Sequence, residues 1–102
     1  MCAIAGILGL HAPESTIGAM EATMGRRGPD DFGLFRDEDV TLLHGRLAVI
    51  DPEGGRQPMT FEFAGETYTI VYNGELYNTE EIRTELRKLG HSFRGHSDTE
   101  VL

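Results

Sequence analysis

The chain contains a single cysteine and no apolar run long enough to span a membrane. One thiol makes neither an internal disulfide nor a cysteine zinc cage, and a membrane helix needs about 18 apolar residues or more. Basic residues are also scarce. Nine Lys and Arg stand against seventeen Asp and Glu, a net charge of −8. That balance argues against broad nucleic-acid binding, which needs a cationic face to displace phosphate counterions. It argues equally against attraction to an anionic membrane surface. The apolar stretch over residues 3–10 lacks the basic residues that precede a secretion-signal core, so a cytoplasmic location is expected. What remains is ordinary globular material: 102 residues, 39% apolar and 25% charged, with 13 Gly and 4 Pro. That is enough for one domain at most.

Residues 3–10 read as a buried strand. Ser15 or Thr16 is expected to cap a short helix with Ile17, Met20 and Met24 on one face and Gly25 as its stop. Arg26-Arg27-Gly28-Pro29-Asp30-Asp31 follows as a loop. Short strands are expected over 34–36, 40–44 and 47–50, then a hairpin of 60–63 and 67–72 turning at Ala64-Gly65. Asn78 and Glu81 fit a capping box. The helix behind it would carry Ile82, Leu86 and Leu89 as its apolar stripe and end at Gly90, with Glu80, Arg83, Glu85, Arg87 and Lys88 on a solvated face. A strand-like stretch surrounds Phe93. Ser97-Asp98-Thr99-Glu100 is a second capping box, expected to open a helix that buries Val101 and Leu102. A helix needs several turns to offset its nucleation cost, so the chain is expected to be part of a longer protein.

Four segments could carry chemistry. Met1 precedes a small residue and is expected to be removed, which would place the thiol and a free α-amine together on Cys2. An α-amine with a reference pKa of about 8 can supply a neutral base beside a thiol of about 8.5. On Cys2 alone, a small buried hydrophobe at a strand start is the simpler reading. Asn73-Gly74 offers a side-chain amide and a backbone N–H to one developing oxyanion, although Asn-Gly at a strand end is ordinarily a turn. Arg46, between two strand-like runs, could take a carboxylate in bidentate fashion, or be an exposed strand-end side chain. Arg26-Arg27-Gly28-Pro29-Asp30 makes a weak case for anion binding. His44 reads as a satisfied packing histidine. His91, His96 and Asp98 have no familiar metal spacing, and Asp98 alone is a helix-start acid.

Taken in order, five segments resemble the N-terminal glutaminase domain of class II glutamine amidotransferases. They are Met1-Cys2-Ala3-Ile4-Ala5-Gly6, Arg27-Gly28-Pro29-Asp30, His44-Gly45-Arg46-Leu47-Ala48-Val49-Ile50-Asp51, Tyr72-Asn73-Gly74-Glu75-Leu76-Tyr77-Asn78 and Ser97-Asp98-Thr99-Glu100. The Arg-Gly-Pro-Asp loop is most similar to that of the glutamine-hydrolysing asparagine synthetase branch. The resemblance runs through the whole chain. Ala3 departs from it, since the family usually has Gly there, and the family's glutaminase domain is longer and is followed by a synthetase domain.

The resemblance implies an α+β fold of the N-terminal-nucleophile hydrolase type. This is a four-layer αββα sandwich, two antiparallel sheets face to face between helix layers, of which residues 1–102 would be the N-terminal part. It implies that Cys2 attacks the side-chain amide of glutamine with its own α-amine as base, and that Asn73 and Gly74 hold the oxyanion. Arg46 would take the substrate α-carboxylate, Asp98 with Glu75 its α-ammonium, and Val49 would add backbone to the pocket. No metal or cofactor is implied for this part. ATP and magnesium would serve the synthetase domain, where the released ammonia converts aspartate to asparagine. The implied partners are glutamine, that synthetase domain and, through surfaces left open, a second copy of the chain. Two other readings remain: a class II amidotransferase with a different acceptor, and a fragment acting only as an interaction module.

Overall fold

The computed structural model describes residues 2–47 and 54–102. Its elements are β1 (Ala3–Leu8), α1 (Glu14–Met24), β2 (Asp31–Arg36), β3 (Val40–Arg46), β4 (Met59–Phe63), β5 (Glu66–Ile70), α2 (Thr79–Lys88) and α3 (Asp98–Val101). Strands β1, β3 and β2 form one antiparallel sheet in that order, and β4 and β5 form a separate hairpin. The architecture is therefore α+β with antiparallel sheets.

The central strand β3 sets the geometry. Ala3, Ala5 and Ile7 pair with Gly45, Leu43 and Thr41, while Ile4, Gly6 and Leu8 pair with His44, Leu42 and Val40. On the other side, Asp31, Gly33 and Phe35 pair with Arg46, His44 and Leu42. Because strand side chains alternate with period two, each set shares one face. Helix α1 covers the Leu43 face. Ala12, Ile17, Met24 and Leu43 form the core there, joined by Ala3, Ala5, Ile7, Met20 and Phe32. Leu43 is wholly buried, a burial worth about 1.5–3 kcal/mol. The opposite face carries His44, Arg46 and Asp31.

Several elements differ from the sequence expectation. Helix α1 starts at Glu14 behind Pro13, not behind Ser15 or Thr16, and has no side-chain cap. The fixed φ of proline already suits a helix start, and the Pro13 carbonyl accepts from Thr16 N at 3.0 Å and Ile17 N at 3.2 Å. Ile17, Met20 and Met24 do face the core, and Gly25 is the C-cap. Strand β3 continues through Gly45, which pairs with Ala3 and Phe32, to Arg46, which pairs with Asp31. Residues 48–50 of the expected 47–50 strand lie outside the described residues. The hairpin turns at Ala64 and Gly65, with φ of 52° and 81°, the paired positive values of a tight hairpin turn. No strand forms around Phe93. Its ring lies against the Arg83 guanidinium, 5.0 Å from the centroid, and the Arg87 guanidinium at 5.8 Å.

In helix α2 the Asn78 side chain makes no capping bond. Its backbone is not extended (φ −98°, ψ 36°), whereas an N-cap side chain is normally aimed by β-region dihedrals. The Thr79 hydroxyl donates to the Leu76 carbonyl instead. Leu89 is exposed and Ile82 and Leu86 are half-buried, while Arg83, expected on the solvated face, is the buried residue of this helix. At α3 the Ser97 hydroxyl does cap, accepting from Thr99 N at 3.1 Å. The Glu100 carboxylate accepts from Arg94 N at 2.7 Å and Gly95 N at 2.9 Å. Val101 is buried, but Leu102 is 56% exposed.

Candidate active site

Cys2 directly precedes β1, whose Ala3 pairs with Gly45, and by the alternation of strand side chains its thiol falls with Ile4 on the face away from α1. Its half-buried thiol lies against the next residue of the neighbouring strand. Leu47 N donates to Cys2 Sγ at 3.4 Å, and Sγ donates to the Leu47 carbonyl at 3.7 Å.

Arg46 is buried, at 5% exposure, and is not the exposed strand-end arginine considered from sequence. The Arg27-Gly28-Pro29-Asp30 loop explains how it is held. Pro29 bridges to Arg46 in parallel, and Asp30 N donates to the Arg46 carbonyl at 2.9 Å. A Cβ at Gly28 would stand 2.1 Å from the Gly45 carbonyl carbon. Only glycine lets these two backbones approach so closely. The loop read as a weak anion site thus braces the main chain that presents Arg46.

His44, two residues earlier on the same face, is 1% exposed. Neither ring nitrogen makes a well-formed hydrogen bond, so it is buried but not the satisfied histidine expected. Burial pushes its pKa below the usual histidine value, and the nearby Arg46 charge adds to this. The Tyr72 backbone beside the ring and Asp31 act in the opposite direction.

The second half of the site comes from the far part of the chain. Asn73, Gly74 and Glu75 are exposed in an irregular segment after β5 that bends at Gly74. The Tyr72 phenol folds back so that a Cβ at Gly74 would lie 2.8 Å from its oxygen. Asp98 opens α3, and its Oδ2 accepts from Leu76 N at 3.0 Å. That bond draws Asp98 to the Asn73-Gly74-Glu75 segment. The loop before α3 is fixed by Arg83, which donates to the carbonyls of Gly95 at 3.2 Å and His96 at 3.1 Å.

Two groups therefore emerge: Cys2 with Arg46, and Asn73, Gly74 and Glu75 with Asp98. Among the described residues, no hydrogen bond joins Cys2 to Asn73, Gly74 or Asp98. Val49 lies outside the described residues. The link between the groups is Gln57, which sequence reasoning passed over as part of a loop. Its carbonyl oxygen lies 1.7 Å from where a Gly33 Cβ would be, so it sits directly on β2 beside His44. Its side chain reaches both Tyr72 and Thr99. A groove of about 500 Å³, lined by Ala5, Ser15, Thr16, Ala19, Met20, Thr23 and Met24, is on the α1 side. It contains none of these side chains.

A thiol and a guanidinium near one end of the sheet, with an Asn-Gly segment and a carboxylate tied to each other, are groups that can bind and cleave a small zwitterionic amide. The chain belongs to the glutamine amidotransferase domain family, which matches residues 1–102. Among curated relatives, the glutamine-hydrolysing asparagine synthetase 3 of Bacillus subtilis is 51% identical, over 100% of this chain and 17% of the relative. The glutamine-hydrolysing asparagine synthetase 1 of the same organism is 43% identical, again over 100% and 17%. The glutamine-hydrolysing asparagine synthetase 1 of Arabidopsis thaliana is 41% identical, over 100% and 18%. The chain thus spans about one sixth of the length of these relatives.

Proposed function

We propose that these residues form the N-terminal part of a glutaminase domain that releases ammonia for a synthetase domain elsewhere in the parent protein, where aspartate becomes asparagine. The observation that supports this reading is the contact of the Cys2 thiol with the Leu47 main chain, directly after the buried Arg46. The parent sandwich would bring its second sheet over the face away from α1, with α1 as the helix layer behind.

In the reaction, the Cys2 thiol loses its proton to the Cys2 α-amine, which is free once Met1 is removed. Sulfur adds to the side-chain amide carbon of glutamine. The Asn73 side-chain amide and Gly74 N–H donate to the oxyanion. The carbon–nitrogen bond then breaks, the amine's extra proton passes to the leaving nitrogen, and ammonia departs. Water adds to the glutamyl thioester and the carbon–sulfur bond breaks, giving glutamate and the free thiol. Arg46 clamps the substrate α-carboxylate through its planar fork. Asp98 and Glu75 receive the α-ammonium, and Val49 contributes backbone.

ATP and magnesium are assigned to the synthetase chemistry and to no residue of this chain. Among the described residues, no group of three or more His, Cys, Asp or Glu is placed to hold a metal ion. No helix of the described residues is long and apolar enough to cross a membrane, and the cytoplasm is the compartment we propose.

In the full-length protein, Cys2→Ala should abolish glutamine hydrolysis and spare synthesis from added ammonia. Glutaminase activity above about one per cent of wild type would count against Cys2 as nucleophile, since loss of a nucleophile costs far more than a hundredfold.

A further inference from the structure

Gln57 lies 15 residues before Tyr72 and 42 before Thr99, yet one side chain meets both. Tyr72 N donates to Gln57 Oε1 at 2.5 Å, and Gln57 Nε2 donates to Thr99 Oγ1 at 3.0 Å. A backbone N–H can only donate, so the amide oxygen must face Tyr72 and the amide nitrogen is left for Thr99. The orientation of the group is thereby fixed. Tyr72 directly precedes Asn73, and Thr99 directly follows Asp98. The main chain of Gln57 is itself seated on the sheet, because Gly33 has no side chain to hold it off.

We propose that Gln57 is a positioning residue that sets the oxyanion arm, through Tyr72, and the ammonium arm, through Thr99, against the sheet face that carries Cys2 and Arg46. The inference rests on the glutaminase reading above. Gln57 touches no reacting atom. It acts through Asn73-Gly74, whose hydrogen bonds are made in the transition state, and through Asp98, whose contact is already made with bound substrate. Its two ends therefore have separable kinetic effects. Losing the Tyr72 end lowers kcat, and losing the Thr99 end raises KM.

The test uses the full-length protein, with active sites counted by alkylation of Cys2 with an electrophilic glutamine analogue. Gln57→Met keeps the length and loses both bonds. Per titrated site its kcat should fall about tenfold to a hundredfold, the scale of a small misplacement of catalytic groups, and its KM for glutamine should rise. Thr99→Val frees only the ammonium arm, so KM should rise while kcat stays within about twofold. Gln57→Glu keeps an acceptor for Tyr72 N and another for the Thr99 hydroxyl proton. It should bring kcat back to within about threefold of wild type.

Wild-type kinetics per titrated site in Gln57→Met would overturn the inference. So would a loss seen only as fewer titratable sites, or a Gln57→Glu variant as slow as Gln57→Met. A wild-type protein that hydrolyses no glutamine overturns the glutaminase reading, and this inference with it. Active wild type with an unaffected Gln57→Met overturns this inference alone.

Discussion

Arg46 and His44 stand two residues apart on one strand, and each gives a test of its own. The α-carboxylate that Arg46 is proposed to hold is remote from the reacting amide, so its binding is shared by ground and transition states. Arg46→Lys keeps the charge and loses the fork. It should therefore raise the KM for glutamine more than it lowers kcat, and steady-state kinetics with an unchanged KM would remove Arg46 from the substrate site. His44 is held below its usual value of 6.5, first by burial. The unfolded chain therefore binds a proton more readily than the folded one. The folded state keeps its full stability above 6.5 and loses it as pH falls through the lowered folded value. Urea unfolding across that interval should show the loss in the wild type and less of it in His44→Gln; identical pH slopes would refute the assignment. The residues with chemical character were legible from motifs: Cys2, Arg46, Asn73, Gly74 and Asp98 all stood out. Gln57 did not, because nothing in a Gly-Gly-Arg-Gln-Pro loop shows that an amide will meet two segments distant in sequence. Nor did Arg83, since a hydrophobic pattern counts every arginine as surface. Its guanidinium instead stacks on Phe93 and caps two carbonyls.

Among the elements, α3 depends most on its neighbours. It has four residues, too few to repay helix nucleation. Its hold comes from the Ser97 cap, the Glu100 carboxylate on Arg94 N and Gly95 N, the Gln57–Thr99 bond and the Arg83 clamp behind the loop. The Arg83–Glu80 pair at 3.2 Å adds little, because the glutamate side chain is 81% exposed. Arg83→Met keeps an apolar stem but removes the guanidinium from Phe93 and strips both carbonyls of their donor. It should cost about 1–3 kcal/mol, read from denaturant unfolding. Because Asp98 stands in that helix, KM for glutamine should rise as well. Unchanged stability and KM would mean that the clamp does not hold α3. Strands were easier to read than helix faces. Apolar and branched runs marked β1, β3 and the hairpin to within a few residues, and Ala64-Gly65 named its own turn, but β1, expected to be buried, alternates half-buried and exposed residues. The expected β3 stopped short because glycine carries weak β-propensity, while pairing with β2 carried the strand to Arg46. The helix stripe failed at Leu89 because α2 meets the rest of the chain through Arg83.

Across the whole molecule, the sheet face away from α1 is covered around His44 and Arg46 and exposed at Ile4 and Leu8. The radius of gyration is 14.7 Å, with extents of 45 × 32 × 18 Å, against about 13 Å for a compact chain of 100 residues. Ile4, Leu8, Leu10, Phe61, Phe63, Tyr68, Tyr77 and Leu89 are all exposed. Apolar surface on this scale favours association. The 102-residue polypeptide by itself should therefore self-associate, although its net charge of −8 opposes contact until salt screens it over about 8 Å. Analytical ultracentrifugation over a dilution series would test this, and a monomer at every concentration would refute it. The two-faced sheet also turns the location of the nucleophile into a matter of odd and even. Cys2 shares a face with Ile4, Gly6 and Leu8, while Ala3, Ala5 and Ile7 turn toward α1. Removing one residue within β1 would send the thiol to the α1 side, away from the face that carries Arg46. Removing two would return the thiol to its own side, though about 7 Å along the strand. A lost pair of codons keeps the thiol on its face, and a single lost codon does not.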